Sequence, residues 1–354
     1  MSFMAAKRYG VVNVRIRAMK SRFLDAGDYD QLLRSGSYSA FINSLKNTYY
    51  GDVIDQEATT ATPDPEELST ILSKDFAEVI DTISESVTGV VRRFTETYLE
   101  MFLIEGLKSI IRGLHAGLDE DQILQFAAST TPEQKNLLTE LVKTGSIKNM
   151  IEAIPYKNLK TALIAREEAF EKYESTAPLE VAVEEWYLRE VQDALESFPK
   201  DDRERVMSIL EPGVDLQNLL TRLRALSLDL EPEVVRLSMI RFTEDSRDFV
   251  ELFEDADSWD KIILSLERTK YSRFAERLMR IEEEGRDLFQ VEIAVKDYVA
   301  QQVKRQLTAF PFHLGIVIGF FTLKGYEIRN ISSLAVGVER GLDTDIMRDI
   351  ITVW

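Results

Sequence analysis

The sequence predicts an all-α protein built from three pseudo-equivalent helical subdomains. An internal repeat of 112 residues runs along the chain, and each copy carries an apolar stripe at helical spacing in the same place. No hairpin signal or alternating β-rich run interrupts this helical pattern. With 354 residues, of which 45% are hydrophobic and 29% charged, the chain is large enough for several packed cores.

The repeat is clearest between its second and third copies. A shift of 112 aligns residues 179–230 with 291–342 without a gap, and ten of the 52 positions are identical, where average composition gives roughly three. The identical pairs are Glu180/Glu292, Ala182/Ala294, Val183/Val295, Val191/Val303, Leu195/Leu307, Phe198/Phe310, Pro199/Pro311, Gly213/Gly325, Asn218/Asn330 and Leu230/Leu342. The two segments are therefore predicted to share one fold.

The apolar stripe extends the repeat to a first copy. It has five apolar residues per copy, spaced 3-4-3-4: Ile104, Leu107, Ile111, Leu114 and Leu118; Leu216, Leu219, Leu223, Leu226 and Leu230; Ile328, Ile331, Ala335, Val338 and Leu342. This spacing places all five on one side of a helix, so each copy is predicted to bury an equivalent stripe.

An acid-rich turn follows each stripe. The turns comprise residues 118–121, 230–233 and 342–345, and their carboxylates suit the start of a helix. In the second turn, Pro232 occupies a position where a first-turn proline is favoured. We refer to these three segments as the Leu-acid turns.

Helix boundaries are predicted from proline and glycine in the second and third copies. A long helix should end near Phe198 or Phe310, and Pro199 or Pro311 should open the next one. That helix is predicted to stop at Gly213 or Gly325. Asp215 or Glu327 should then favour the following helix start. The repeated Asn218 and Asn330 are expected to cap or cross-link neighbouring helices rather than bind a ligand.

The other end of the repeat unit matches between the first and third copies. Residues 44–50 resemble residues 265–271, whereas the second copy offers only Ile154, Pro155 and Tyr156. Tyr50 and Tyr271 are expected to fill equivalent core positions. The predicted boundaries are 1–130 for a basic helix plus the first unit, 131–242 for the second unit and 243–354 for the third.

Composition excludes several classes of function. The absence of cysteine removes disulfides, cysteine-ligated metals and thiol nucleophiles, and the net charge of −18 disfavours nucleic-acid binding. No phosphate-binding loop or dinucleotide fingerprint is present, so no direct nucleotide binding and no cofactor is predicted. The acidic clusters, including Asp201 and Asp202, are expected to be solvated helix ends. His313, one of two histidines, is expected to be a hydrogen-bonded core residue, and no metal site is predicted.

The most hydrophobic stretch runs from Leu307 to Leu323. It contains a proline, a histidine and two glycines and is barely long enough for a thin bilayer, so we expect a buried core helix rather than a membrane span.

The first segment of the chain is basic. Six cations precede the first acidic residue, Asp25. Four of them, Arg15, Arg17, Lys20 and Arg22, are candidate contacts for a partner protein. In the alternative interpretation, Val12, Ile16, Met19 and Phe23 bury one face of a helix and the arginines form ion pairs within the chain.

Two segments resemble a known family. The run Tyr9-Gly-Val-Val-Asn-Val-Arg-Ile-Arg-Ala-Met-Lys-Ser-Arg22 resembles the opening helix of the C subunit of V/A-type rotary ATPases, which corresponds to the d subunit in eukaryotes. The run Lys324-Gly-Tyr-Glu-Ile-Arg-Asn-Ile331 is similar to its C-terminal signature. The second copy departs from the family in its weak Leu-x-x-Thr-x-Tyr element.

The resemblance implies a fold and a role. Members form a funnel of three similar subdomains around a pseudo-threefold axis. The funnel joins the D and F subunits of the central stalk to the membrane rotor ring of proteolipids at the cytoplasmic side. The expected function is therefore non-catalytic torque transmission for proton or sodium transport, with membrane association only through the ring. The alternative is a soluble scaffold that binds another protein in a concave surface.

The Leu-acid turns join the basic helix as candidate contact sites, because they recur by threes. Their candidate residues are Asp119, Asp121, Glu231, Glu233, Asp343 and Asp345.

Overall fold

The computed structural model describes residues 3–127, 131–308 and 312–353, and in this part of the chain it contains helices and no strand. The predicted all-α class is confirmed. The helices of the first copy are α1 (Phe3–Lys20), α2 (Ala26–Leu33), α3 (Tyr38–Lys46), α4 (Tyr50–Glu57), α5 (Pro65–Glu85), α6 (Gly89–Leu99), α7 (Met101–His115) and α8 (Glu120–Phe126).

The remaining helices belong to the second and third copies. Those of the second copy are α9 (Pro132–Val142), α10 (Ile147–Ala153), α11 (Lys157–Tyr173), α12 (Ala177–Leu195), α13 (Lys200–Leu228) and α14 (Pro232–Leu237). Those of the third copy are α15 (Glu244–Glu251), α16 (Trp259–Leu266), α17 (Ser272–Glu283), α18 (Leu288–Thr308), α19 (Gly315–Glu339) and α20 (Thr344–Ile350). Within the described residues, no helix is both long and apolar enough to cross a membrane.

The chain divides into two compact units. The first contains Met1–Arg92, Pro199–Ile209 and Phe289–Trp354, and the long helix α19 is its centre. α1, α2, α3, α5 and α20 all pack against α19, burying a core that includes Phe41, Leu45 and Ile331. Close packing of this kind gives low compressibility.

The second unit contains Arg93–Phe198 and Leu210–Leu288. Its helices pack in sequence-local groups: α7 contacts α8, α9, α10 and α12; α12 also contacts α11 and α14; and α16 contacts α17. The stripe residues Leu107, Ile111, Leu219 and Leu223 are buried in this unit.

The stripe is buried except at its end. In all three copies the second and third residues are buried and the fourth is half-buried, as predicted. The fifth residue is not buried: Leu118, Leu230 and Leu342 are 39%, 44% and 41% exposed. The chain leaves the helix just before each leucine, through Gly117, Asp229 or Gly341 in the left-handed conformation. The predicted burial of these three leucines is therefore wrong.

The predicted breaks at Gly213 and Gly325 are also wrong. α13 and α19 continue through both glycines, and neither glycine has a positive φ. Asp215 and Glu327 lie inside these helices and are buried rather than starting new ones. The break at the equivalent place occurs only in the first copy, at Glu100 between α6 and α7.

Other predicted boundaries are confirmed. α13 starts immediately after Pro199, whose carbonyl accepts from the Arg203 amide at 3.1 Å, and Pro232 is the first residue of α14. Phe310 and Pro311 lie outside the described residues. The stretch from Leu307 to Leu323 is not one helix, because α18 ends at Thr308 and α19 begins at Gly315, but its part from Leu314 to Phe321 is buried.

Candidate partner-contact surfaces

Asn218 and Asn330 lie at equivalent positions of the second and third copies and make equivalent pairs of side-chain hydrogen bonds. We call these two pairs of bonds the asparagine clamps. The Asn218 side-chain amide donates to the Ile240 carbonyl at 2.7 Å and its oxygen accepts from the Ile240 amide at 2.8 Å. Asn330 makes the same pair of bonds with Thr352, at 2.7 and 3.1 Å, and also donates to the Tyr29 hydroxyl. Both partners lie 22 residues further along the chain. Asn330 thus links α19 to α2 and to the segment after α20, as predicted for neighbouring helices, whereas Asn218, among the described residues, links α13 only to the segment after α14.

Buried tyrosine–carboxylate pairs form a second recurring contact. Tyr50 donates to Glu327 at 2.6 Å in the first unit, and Tyr271 donates to Asp215 at 2.5 Å in the second. Tyr50 and Tyr271 are fully buried, as predicted. In the second copy, Tyr156 instead packs its ring on Trp186, and the position equivalent to the carboxylates is Leu103.

A buried charge cluster surrounds Glu327. Lys324 lies 3.1 Å from Asp75 and 3.6 Å from Glu327, and its ammonium donates to the Tyr50 hydroxyl at 2.8 Å. The Leu24 amide donates to Glu327 at 2.7 Å. Burial raises the pKa of Glu327, and Lys324 and the Tyr50 hydrogen bond oppose that rise. The cluster joins α4, α5 and α19, so it fixes the first unit internally rather than offering a binding site.

The Leu-acid turns are exposed in every copy. The six candidate acids lie at or near the surface, since none of them is buried. Asp119 and Asp343 cap the helices that follow by accepting from the amides of Gln122 and Asp345, whereas Glu231 makes no side-chain cap. In each turn the leucine amide bonds back to a helix carbonyl at equivalent positions, from Leu118 to Gly113, Leu230 to Ala225 and Leu342 to Gly337. Each turn therefore presents one leucine together with exposed carboxylates, three in the first turn and two in each of the others.

The basic helix α1 buries one face against α19 and α5. Val12 and Ile16 are each 1% exposed, and Phe23, just beyond the helix, stacks on Phe320 with centroids 5.5 Å apart. The apolar part of the alternative interpretation is therefore correct.

Neutral groups hold two of the four candidate cations. Arg15 donates to the Thr82 carbonyl at 2.9 Å, and the Arg22 guanidinium lies 5.0 Å from the Tyr49 ring centroid. Arg17 is exposed, and Lys20 is half-buried. Burial, with Lys304 and Arg17 nearby, lowers the pKa of Lys20. Among the described residues none of these four cations has a carboxylate within 4 Å. The ion pairs of the alternative interpretation are therefore absent at these four, although Arg8 of the same helix lies 3.8 Å from Asp202.

Two buried polar residues differ from expectation. Asp202 is 6% exposed and accepts from the Tyr9 hydroxyl at 2.7 Å and the Leu314 amide at 2.8 Å, so it is not a solvated helix end. His313 is buried, but neither ring nitrogen has a hydrogen-bond partner among the described residues. Burial, followed by the nearby Arg205, lowers the pKa of His313 to about 4. The described part of the chain contains no group of three or more side chains placed to hold a metal.

Comparison of the sequence with known proteins identifies its family. The family model described as ATP synthase (C/AC39) subunit matches residues 12–350. Similar curated proteins include the C subunit of the A-type ATP synthase of Methanocaldococcus jannaschii, which is 22% identical over 97% of this chain and 86% of the relative. The equivalent C subunits of Haloferax volcanii and Pyrococcus furiosus are 23% and 21% identical, covering 94% and 92% of this chain and 94% and 85% of their own lengths.

The match confirms the resemblance that the two terminal segments indicate, and it agrees with a component of a larger assembly rather than a separate enzyme. Because it spans nearly the whole chain, the chain belongs to the ATP synthase (C/AC39) subunit family.

Proposed function

We propose that this protein is the non-catalytic coupling subunit of an A-type ATP synthase. In this role it joins the D and F subunits of the central stalk to the membrane rotor ring, and it transmits torque between them. It is peripheral, on the cytoplasmic face, and reaches the membrane only through the ring. The observation that carries the proposal is the family match over residues 12–350, together with relatives named as the C subunit of A-type ATP synthases over nearly their full lengths.

We further propose that residues 1–130, 131–242 and 243–354 are three equivalent helical units arranged as a funnel with pseudo-threefold symmetry. The recurring contacts support this division. The two asparagine clamps lie 112 residues apart, and so do the partners they hold, Ile240 and Thr352. All three Leu-acid turns have a residue with a left-handed backbone before the leucine, a hydrogen bond from the leucine amide to a helix carbonyl, and an exposed leucine side chain.

The interior of the molecule suits the transmission of force. A buried ion pair holds its neighbours in one arrangement, because any displacement leaves a charged group without its partner. The ammonium of Lys324 lies near both Asp75 and Glu327 and donates to the Tyr50 hydroxyl, although Asp75 Oδ2 has no hydrogen-bond partner among the described residues. A part that carries torque needs this resistance to deformation, whereas an enzyme would need an accessible site.

The candidate contact residues fall into two groups. The first group consists of acids in the Leu-acid turns: Asp119, Asp121, Glu231, Glu233, Asp343 and Asp345. The second group consists of cations of the basic helix and the residues just after it: Arg15, Arg17, Lys20 and Arg22. We propose that both groups contact other subunits of the complex. Opposite charge on a partner surface would speed association and fix its register.

The proposal is tested by purifying the affinity-tagged full chain from solubilised membranes. We expect it to retain the nucleotide-binding head, the D and F subunits, and the proteolipid ring. Recovery as a free protein, or with an unrelated soluble partner, would contradict the proposed function and favour the scaffold alternative.

The same purification tests whether the acids of the Leu-acid turns contact other subunits. The variant Asp121→Lys/Glu233→Lys/Asp345→Lys avoids the helix-capping positions and should fold normally but retain less of the complex. A matched control, Asp81→Lys/Asp260→Lys/Glu283→Lys, changes the net charge equally at other exposed acids and should retain it. Equal retention of the complex by the two variants would show that the acids of the Leu-acid turns do not contact other subunits.

A further inference from the structure

The outward face of α1 carries a second apolar row opposite its buried one. Val11 and Val14 are 62% and 67% exposed, among the most exposed large apolar side chains of the described residues, and Ala18 lies beside them on the same line. Their spacing of three and four places them on one line along the helix. From Val11 to Ala18 the apolar row covers about 10 Å at 1.5 Å per residue, and the polar Lys7 continues the line one turn earlier in α1. We call the apolar row the exposed seam.

The three apolar residues of the seam have the spacing of one coiled-coil heptad. With Val11 and Ala18 at the a positions, Val14 falls at d. Arg15 then falls at e and Arg17 at g, so cations flank the row on both sides, and Arg22 follows two residues after the end of α1. In coiled coils these flanking positions form the salt bridges that select the partner.

The flanking cations are positioned without being neutralised. Arg15 is held by a backbone carbonyl and Arg22 by an aromatic ring, and both of these groups are uncharged. The chain has 61 acidic residues, yet among the described residues none lies within 4 Å of Arg15, Arg17 or Arg22. A chain with a net charge of −18 thus leaves these three cations without an acidic partner among its described residues.

We propose that the exposed seam docks an acidic amphipathic helix of another subunit of the complex. The partner helix presents an apolar a/d row to Val11, Val14 and Ala18, and carboxylates at its flanking positions to Arg15, Arg17 and Arg22. The small side chains of the seam permit close approach of the two helices. This inference rests on the proposed function for the identity of the complex, and on the seam alone for the chemistry of the partner.

Two other occupants fit the seam less well. A second copy of α1 would bring like charges together at the flanks, which is unfavourable in an interface. An anionic membrane surface would be attracted by the arginines, but the row of valine and alanine buries little area and has no aromatic anchor. The net charge of the whole chain also opposes a negative surface.

The absence of cysteine permits a direct test. The variant Val14→Cys, labelled with a photoreactive maleimide as the purified chain and then assembled into the complex, should cross-link to one protein segment, identified by mass spectrometry. The control is Leu264→Cys, on α16, where the native side chain is 62% exposed. We expect the Val14 adduct to map to a helix with acidic residues at heptad flanks, and the Leu264 adduct to map elsewhere.

A second variant measures the strength of the contact. Val14→Asp places a carboxylate against the acidic flanks of the partner and should weaken retention by the complex at least about tenfold. Leu264→Asp should leave retention unchanged. Because both native side chains are largely exposed, both variants should keep the wild-type melting temperature.

The outcomes separate the two proposals. If the wild-type chain does not retain the head and ring, the proposed function is wrong. In that case a Val14 adduct to an acidic helix of another protein would still support the proposal for the exposed seam. If the wild-type chain does retain them, the inference is overturned by a Val14 adduct to lipid, to a second copy of the chain or to the segment reached from Leu264, or by no adduct. Wild-type retention of Val14→Asp would overturn it equally.

Discussion

At the scale of single residues, His313 has a buried ring that no described group hydrogen-bonds. The surroundings favour the neutral ring, since burial and the nearby Arg205 lower its pKa from 6.5 to about 4. A charged ring there would lose its hydration, and the nearby Asp201 carboxylate and Gln306 backbone offset only part of that loss. The residue therefore makes stability depend on pH.

The direction of this dependence follows from proton binding. Between about pH 6.5 and pH 4 the unfolded chain protonates His313 while the folded chain does not, so stability falls as the pH falls through this window. The contribution is of order 3 kcal/mol across the full window. His313→Phe should remove this part of the acid sensitivity and leave stability at about pH 8 almost unchanged, as measured by urea unfolding at several pH values. An identical pH profile in wild type and variant would contradict the assignment.

Sequence alone could not place the buried polar residues. Asp202 has the pattern of a solvated acid because its neighbours are polar, but its partners, Tyr9 and the Leu314 amide, come from segments far along the chain. Lys324 likewise lies in a recognisable motif, while the Asp75 that pairs with it carries no sequence signal. Such pairs depend on tertiary packing, which a local pattern does not contain.

At the scale of helices, the apolar stripes and acidic helix starts were predictable because they depend on spacing and capping within a few residues. The predicted breaks at Gly213 and Gly325 failed for the opposite reason. Glycine lowers helix stability by only about 1 kcal/mol, and the bonds of Asp215 and Glu327 to tyrosines outside their own helices favour continuing the helix.

The sequence also contains serine and threonine residues immediately before several helices, and these were not used to predict the helix starts. Ser37, Ser146 and Ser258 are the residues immediately before α3, α10 and α16, and the last two are 112 residues apart. Thr131 and Thr243, also 112 residues apart, cap α9 and α15. These residues could have located the start of the second copy, where the tyrosine element is weak.

The asparagine clamps give a prediction for two helices. In Asn218→Ala and Asn330→Ala, one buried amide and one buried carbonyl lose their partner, so each variant should lose about 1–3 kcal/mol of unfolding free energy. Urea unfolding measures the loss. The control Gln217→Ala changes an exposed neighbour on α13 and should stay within about 0.5 kcal/mol of wild type. A loss no larger than that of the control would show that water replaces the clamp at no cost.

At the scale of the whole molecule, the repeat predicts three units while the packing forms two compact ones. Each compact unit takes segments from distant parts of the sequence, so the partition of the fold does not follow the order of the repeat. The tyrosine–carboxylate pairs illustrate this mixing. Tyr50 of the first copy bonds Glu327 of the third, and Tyr271 of the third bonds Asp215 of the second.

These pairs allow the independence of the two compact units to be measured. Tyr50→Phe removes a hydrogen bond to a buried carboxylate in the first unit, and Tyr271→Phe removes one in the second, each costing about 1–3 kcal/mol. If the units open separately, amide hydrogen exchange should accelerate mainly in α4 and α19 for Tyr50→Phe, and mainly in α17 and the part of α13 after Ile209 for Tyr271→Phe.

The comparison of the two variants carries the result, because each serves as the control of the other. Acceleration in both units by either single change would mean that the molecule opens as one cooperative body. Exchange patterns confined to one unit per variant would show instead that the two compact units open separately.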